Sequence, residues 1–281
     1  MKKIVKNILH AVSLFGGMFL LMSSSKVHAV RPFVTDDARI IDVYQIEVET
    51  WTELQRSSSE KTVGQHFMGG LTVNDWLEII GGGGAGYDFD NDEFLVTNPV
   101  LQPKILLWQA AENGVPGMAL ATGLMFPTGR GEAYFDDATS YYFLALFTSR
   151  LFDDWLQVHL NLGRTYAKVS GATTDENNYW GIGLDVGVYD IDYRWIVEAY
   201  SGDPFEAFAP DLAFQSGFRW LKSDTLNFDV TFGTQPELND DLRRSGKWEV
   251  WAQFGIRLLF DTFRGDRGPG DPFGAKGMFS F

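Results

Sequence analysis

The chain has 281 residues, with 23 Lys and Arg against 37 Asp and Glu, and no cysteine. Lack of cysteine excludes disulfide frameworks, thiol nucleophiles and thiolate metal sites together, and so acidic a chain argues against a nucleic-acid partner. No repeat, linker or low-complexity tract divides it, so it reads as one domain behind a leader.

Residues 1–29 have the pattern of a secretory signal peptide. Lys2, Lys3 and Lys6 open it, a mostly apolar run covers 8–22, and Val27-His28-Ala29 offers a small-residue cleavage site. The run is too short and wrongly flanked for a membrane-spanning helix. The leader holds Lys2, Lys3, Lys6 and Lys26 and no acid, so the mature chain carries 19 basic and 37 acidic residues. Residues 30–43 then form an N-terminal segment placed to act as a plug.

From there the chain alternates apolar and polar residues in segments of about ten, which predicts strands. The expected strands are 44–53, 63–73, 76–87, 98–108, 118–127, 140–148, 155–166, 179–189, 193–200, 211–221, 225–234 and 248–260. In the seventh, Leu156, Val158, Leu160 and Leu162 share one face and Gln157, His159 and Asn161 the other. In the eleventh, Leu226, Phe228, Val230 and Phe232 oppose Asn227, Asp229 and Thr231. A soluble sandwich shows the same alternation with its apolar face inward, but its strands are usually about five or six residues. About ten tilted residues cross a bilayer.

The connections alternate short (74–75, 109–117, 149–154, 190–192, 222–224) and long (54–62, 88–97, 128–139, 167–178, 201–210, 235–247). Short periplasmic turns and long outer loops are the rhythm of outer-membrane barrels. The expected fold is therefore all-β: a single antiparallel up-and-down transmembrane β-barrel of about 12 strands over 44–260, closed by pairing of the first and last strands. An open edge has no water to satisfy it inside a membrane. Both termini would be periplasmic, in the outer membrane of a Gram-negative bacterium, with 261–281 a periplasmic tail. Glu47 and Arg257 are expected to meet at the closing seam. Trp76, Trp108, Trp155, Trp195 and Trp220 lie near the short turns and suggest an interfacial girdle, although strict alternation aims Trp108 and Trp155 inward.

Several motifs imitate chemistry. Gly81 to Gly84, Ala85 and Gly86 satisfy the spacing of a dinucleotide loop, but a loop rather than a helix follows. Their expected role is steric, letting the strand curve and another segment pack close inside. Asp88, Asp90 and Asp92 are the candidate metal ligands, in an acidic loop that lacks the glycine of a calcium-binding hand; a solvated loop is the default. His66 and His159 are the only histidines after the leader, and their spacing supports no zinc site. His159, flanked by Gln157 and Asn161, reads as a rung of a polar lumen rather than a hydrolase base. Arg264-Gly265-Asp266 falls in the expected periplasmic tail and is discounted as an adhesion motif. No cofactor is expected.

The inward positions carry the functional reading: Glu47, Glu49, Gln102, Lys104, Gln157, His159, Asp185, Arg194, Glu198, Arg219, Asp229, Gln253 and Arg257. Charges of both signs persist inside only when paired or hydrated. A 12-stranded lumen lies between one filled by side chains and an open channel, so a narrow or plugged pore is expected. The reading is a passive channel for small solutes, embedded among outer-membrane lipid and lipopolysaccharide. The alternatives are a sealed structural or surface-interaction barrel and an outer-membrane lipid hydrolase.

Three stretches also resemble a known family: Arg31-Pro32-Phe33-Val34-Thr35-Asp36-Asp37, Asn98-Pro99-Val100-Leu101-Gln102-Pro103-Lys104, and Phe126-Pro127-Thr128-Gly129. They are similar to the outer-membrane β-barrel proteins of the phenol-degradation meta-pathway family, proposed transporters. The resemblance spans most of the mature chain and implies a barrel that admits hydrophobic or aromatic compounds. The long tail after Phe260 departs from that pattern.

Overall fold

The structure, a computed structural model, describes residues 33–261 except 44, 59, 112–113, 132–137, 170–174, 189–191, 202–211 and 239–243. The expected signal peptide, the tail beyond Asp261 and the Arg264-Gly265-Asp266 tripeptide lie outside the described residues.

The described chain is built of antiparallel strands: β1 Gln45–Arg56, β2 Lys61–Asn74, β3 Leu77–Asp88, β4 Glu93–Val96, β5 Val100–Trp108, β6 Gly117–Met125, β7 Ala138–Leu151, β8 Leu156–Val169, β9 Asp175–Gly187, β10 Tyr193–Ser201, β11 Ala213–Ser223, β12 Leu226–Leu238 and β13 Arg244–Asp261. Each pairs with its neighbours in sequence, except that β4 and β5 both pair with β3 and not with each other, and β1 pairs with β13 from Gln45↔Asp261 to Arg56↔Val250. The meander thus closes into a barrel, in which, among the described strands, the short β4 alone has a ladder on one side only and a single bridge, Val96↔Arg130, on the other.

The fourth stave departs from expectation. The long loop expected over 88–97 is instead a hairpin, with β4 pairing against β3 from Asp88↔Glu93 to Ala85↔Val96. The Asp88 carboxylate accepts the Asp90 N–H at 2.8 Å and the Asn91 side-chain amide at 2.8 Å, which folds the turn locally. The chain then jogs at Thr97-Asn98-Pro99 and resumes as β5 beside the other half of β3, from Gly82↔Val100 to Leu77↔Ile105. Proline lacks an N–H and interrupts the ladder there. Counted together, β4 and β5 make one of twelve staves. Pairing also runs past the expected strand ends, so β1 and β2 are joined by 57–60 alone.

Sidedness is inverted relative to a soluble domain. Phe67, Phe143, Phe218 and Phe232 are more than half exposed on the outside, with Leu101, Leu162, Ile182 and Leu184 in the same belt. The alternate positions Gln157, Asn161, Asn227 and Thr231 are buried within. Apolar area left outside finds its low-dielectric surroundings in lipid.

A register shift between Leu106 and Trp108 changes parity. It sets Trp108 opposite Met118, on the outward side, where its indole donates to the Pro116 carbonyl at 2.8 Å. Strict alternation aimed Trp108 inward; the bulge reverses it. Trp155 precedes β8 in the turn and is exposed, as are Trp195 and Trp220. The girdle is therefore cleaner than alternation alone implies.

The expected glycine role is visible in β3. A Cβ on Gly82 would lie 2.7 Å from Met68 Cγ, and one on Gly84 2.7 Å from His66 Nδ1. Absence of side chains there lets Met68 and His66 of β2 lie flat along the wall, with the His66 ring stacked on Trp51 at 4.9 Å.

Candidate functional site

Strand alternation turns a ladder of ionisable side chains into the barrel, and neighbouring strands supply the counter-charges. Arg194 of β10 pairs with Asp185 of β9, and its Nη2 reaches the Asp154 carbonyl at 3.0 Å. Arg219 of β11 stands opposite Asp229 of β12, with Nε 2.7 Å from Oδ1. Across the closing seam Arg257 faces Glu49 in register, lies 3.5 Å from it, and also bonds Glu47. Glu78 of β3 faces Lys104 of β5. Nearly all of these side chains are buried. In so dry a setting such charges are tolerable only because each has a partner.

Into this lumen runs the segment 33–41. Phe33, Val34, Thr35, Asp36, Asp37, Ala38, Ile40 and Ile41 are buried there, though they belong to no strand. The Ile41 carbonyl accepts from Thr72 Oγ1 at 2.7 Å near the short-turn end. Further in, the Ala38 N–H donates to Thr148 Oγ1 at 2.9 Å. Asp36 and Asn161 exchange two bonds, each 2.7 Å: backbone N–H to amide oxygen and amide N–H to backbone carbonyl. The Glu198 carboxylate accepts the Val34 N–H at 2.9 Å, the Thr35 N–H at 2.8 Å and the Thr35 hydroxyl. Tyr179 donates to the Val34 carbonyl at 3.3 Å. An irregular backbone carries unsatisfied polar groups into the barrel, and these side chains satisfy them one by one.

The segment is also clamped by charge. Lys104 Nζ lies 2.8 Å from Asp36 Oδ1 and 3.7 Å from Asp37. Arg39 pairs with Asp37 at 2.6 Å and reaches Gln157 at 3.4 Å. Burial alone would raise the Asp37 carboxyl, but the charges of Arg39 and Lys104 outweigh it and hold the group well below the usual carboxylate range. The Arg219 guanidinium sits 5.1 Å over the Phe33 ring. Gly181 and Gly183 make the room: a Cβ would meet Thr35 Cγ2 at 2.7 Å and Thr35 Oγ1 at 2.5 Å respectively.

Two small cavities lie among the described residues. Beside the segment, a cavity of about 20 Å³ between Phe33, Arg39, His159, Asp185 and Arg219 holds about one water. Above it, toward the longer loops, a chamber of about 40 Å³ is floored by Val34 and walled by Glu53, Glu249 and Trp251.

The thirteen residues read as inward from the sequence all face this interior. Twelve are buried, and Gln253 is half-buried, bonding Glu53 and accepting from Thr231 at 2.9 Å. Gln102 accepts the Tyr142 hydroxyl at 2.5 Å. His159 Nδ1 lies 3.0 Å from Thr148 Oγ1, the same hydroxyl that accepts the Ala38 N–H, so His159 supports the N-terminal segment. Alternation missed Thr148, Tyr179 and Asn161 as anchors, because nothing in their own strands signals what they hold. Asp88, Asp90 and Asp92 do not converge: Asp88 folds its turn, Asp90 lies 3.2 Å from Lys61, and Asp92 takes the Tyr87 hydroxyl.

The three familiar stretches do come together in pairs. Asn98 Oδ1 accepts the Gly129 N–H at 2.7 Å and Pro99 accepts the Phe126 N–H at 3.0 Å, while Lys104 clamps Asp36.

Fold and lumen define a closed 12-stranded antiparallel β-barrel with a charged interior. Among solved structures the chain is similar to the COG4313 outer membrane channel from Pseudomonas putida F1, with a TM-score of 0.57 and 10% identity over 80% of this chain and 98% of that one. It is also similar to the KdgM porin in complex with disordered oligogalacturonate, with a TM-score of 0.50 and 9% identity over 76% and 99%. Similarity at this level concerns the fold alone. No family model matches the chain, and a search of curated proteins finds no match.

Proposed function

We propose that this protein is an outer-membrane channel for small solutes, passive and closed at rest by its own N-terminal segment. The observation that carries the reading is a charged lumen occupied by a non-strand segment held entirely by hydrogen bonds, ion pairs and packing. Such a seal is reversible, because nothing covalent ties 33–41 to the wall. Porin and channel folds among the similar structures support the reading. The resemblance to the phenol-degradation family points to aromatic or hydrophobic cargo. The chemistry of the lumen, with its carboxylates, amides and guanidinia, favours a polar solute instead.

The tightness of the packing favours a second reading, a sealed barrel that transports nothing. Planar-bilayer recording of the full chain and of a variant lacking 33–41 separates the two. A channel with a displaceable plug gives small or rare steps for the full chain and large, steady conductance for the deletion. Silence from both, with the barrel folded, overturns transport and leaves the sealed barrel.

A further inference from the structure

We propose that the chamber above the N-terminal segment is a binding site for a small organic cation, entered by its ammonium head. The proposal deepens the channel reading, since the site lies where a solute arriving from the loop end first meets the plug.

The chamber has an aromatic wall of defined orientation. A Cβ on Gly233 would fall within 2.1–2.3 Å of Cε2, Cζ2 and Nε1 of Trp251, so the indole lies flat against Gly233, its register partner. That packing leaves its other face toward the chamber, which Trp251 lines together with Tyr200. The indole N–H is committed to Gln215 Oε1 at 2.5 Å, which fixes the ring. An indole face held in place over a low-dielectric space is the surface best suited to a cation.

The remaining wall carries two carboxyl groups, those of Glu53 and Glu249. Glu53 takes a bond from the Gln253 amide, and Glu249 Oε2 takes one from Gln235 at 3.3 Å. Glu249 Oε1 is buried with no hydrogen-bond partner. Among the described residues no Lys or Arg lines the chamber. The nearby Lys247 is at the rim, donating to Ser58 Oγ at 3.1 Å. Elsewhere in this lumen each carboxylate described above has an arginine, lysine or backbone donor, so among the described residues the chamber is where positive charge is missing. A bound ammonium would give Glu249 Oε1 a charge-assisted bond and supply the positive charge that the wall lacks. An anion finds no cation there. The space holds about three water-sized groups, enough for an ammonium and its first carbons.

The test is calorimetric titration of the full-length protein, folded in detergent, with ethylammonium at fixed ionic strength, with acetate and glycerol as contrasting probes. The expected result is saturable ethylammonium binding that weakens at least tenfold in Glu53→Gln/Glu249→Gln and severalfold in Trp251→Leu, with Trp251→Phe between wild type and Leu. The heat-dependent gel shift of a folded barrel confirms that each variant is intact. Ethylammonium binding no tighter than acetate or glycerol overturns the proposal, as does wild-type affinity in the folded double glutamine variant. Because heat of binding is read without conductance, a silent bilayer would remove transport and leave the site standing.

Discussion

Arg257 shows how much a single lumenal side chain holds. It stands at the seam where the first strand meets the last, bonding Glu47 and lying 3.5 Å from Glu49, and all three are buried. Removing it leaves two carboxylates facing each other in a dry wall. Arg257→Ala should therefore destabilise the barrel by about 3–5 kcal/mol, measured by urea unfolding in lipid vesicles. Combining Arg257→Met with Glu47→Leu and Glu49→Leu should recover most of that loss, since the uncompensated charge rather than the missing packing is the cost. If the triple variant is as unstable as Arg257→Ala, the seam depends on shape and not on charge.

At the scale of elements, the informative relation is between β9 and the N-terminal segment. Gly181 and Gly183 alternate with Ile182 and Leu184, so one face of β9 is greasy and exposed while the other offers bare backbone to Thr35. Gly183→Val fills that space without touching the outer face. Thr35 would be driven off Glu198, costing at least one charge-assisted bond of about 1.5 kcal/mol and shifting the plug equilibrium roughly tenfold toward release. Single-channel recording should show open probability rising on that order while the barrel still folds. A Gly183→Val channel as closed as wild type would mean that the segment can reseat without this contact.

Taken whole, the molecule is an apolar cylinder around an interior in which acids outnumber bases. Once the segment 33–41 with its own Asp36, Asp37 and Arg39 is set aside, Glu47, Glu49, Glu78, Asp185, Glu198 and Asp229 stand against Lys104, Arg194, Arg219 and Arg257, six acids to four bases. A low-dielectric wall focuses that excess field along the axis. Once the plug is removed, conduction should favour cations, with a permeability ratio over chloride of about three or more. The reversal potential in a potassium chloride gradient across the 33–41 deletion reads this directly. Reversal on the chloride side would show that the arginine ladder, not the net charge, governs the path.

The strands, their sidedness and their closure could be read from the amino-acid order because β geometry has a period of two. Leu160 beside Asn161, or Phe232 beside Thr231, declares which way each points before any contact is known. Glu47 and Arg257 could be paired for the same reason, since an up-and-down barrel must bring its ends together. Periodicity failed where the backbone is irregular: at the bulge that turns Trp108 outward, and at Asp88, whose turn makes a hairpin of a presumed loop. It was silent on the segment 33–41, which has no period. That Asp36 meets Lys104 and Asn161, or that Glu198 gathers the Val34 and Thr35 N–H groups, depends on strands far apart in sequence surrounding one point in space. Local chemistry thus determined that a polar, charged lumen exists and marked 30–43 as the segment placed to plug it, whereas only the closed tertiary structure decided which side chains surround and hold 33–41.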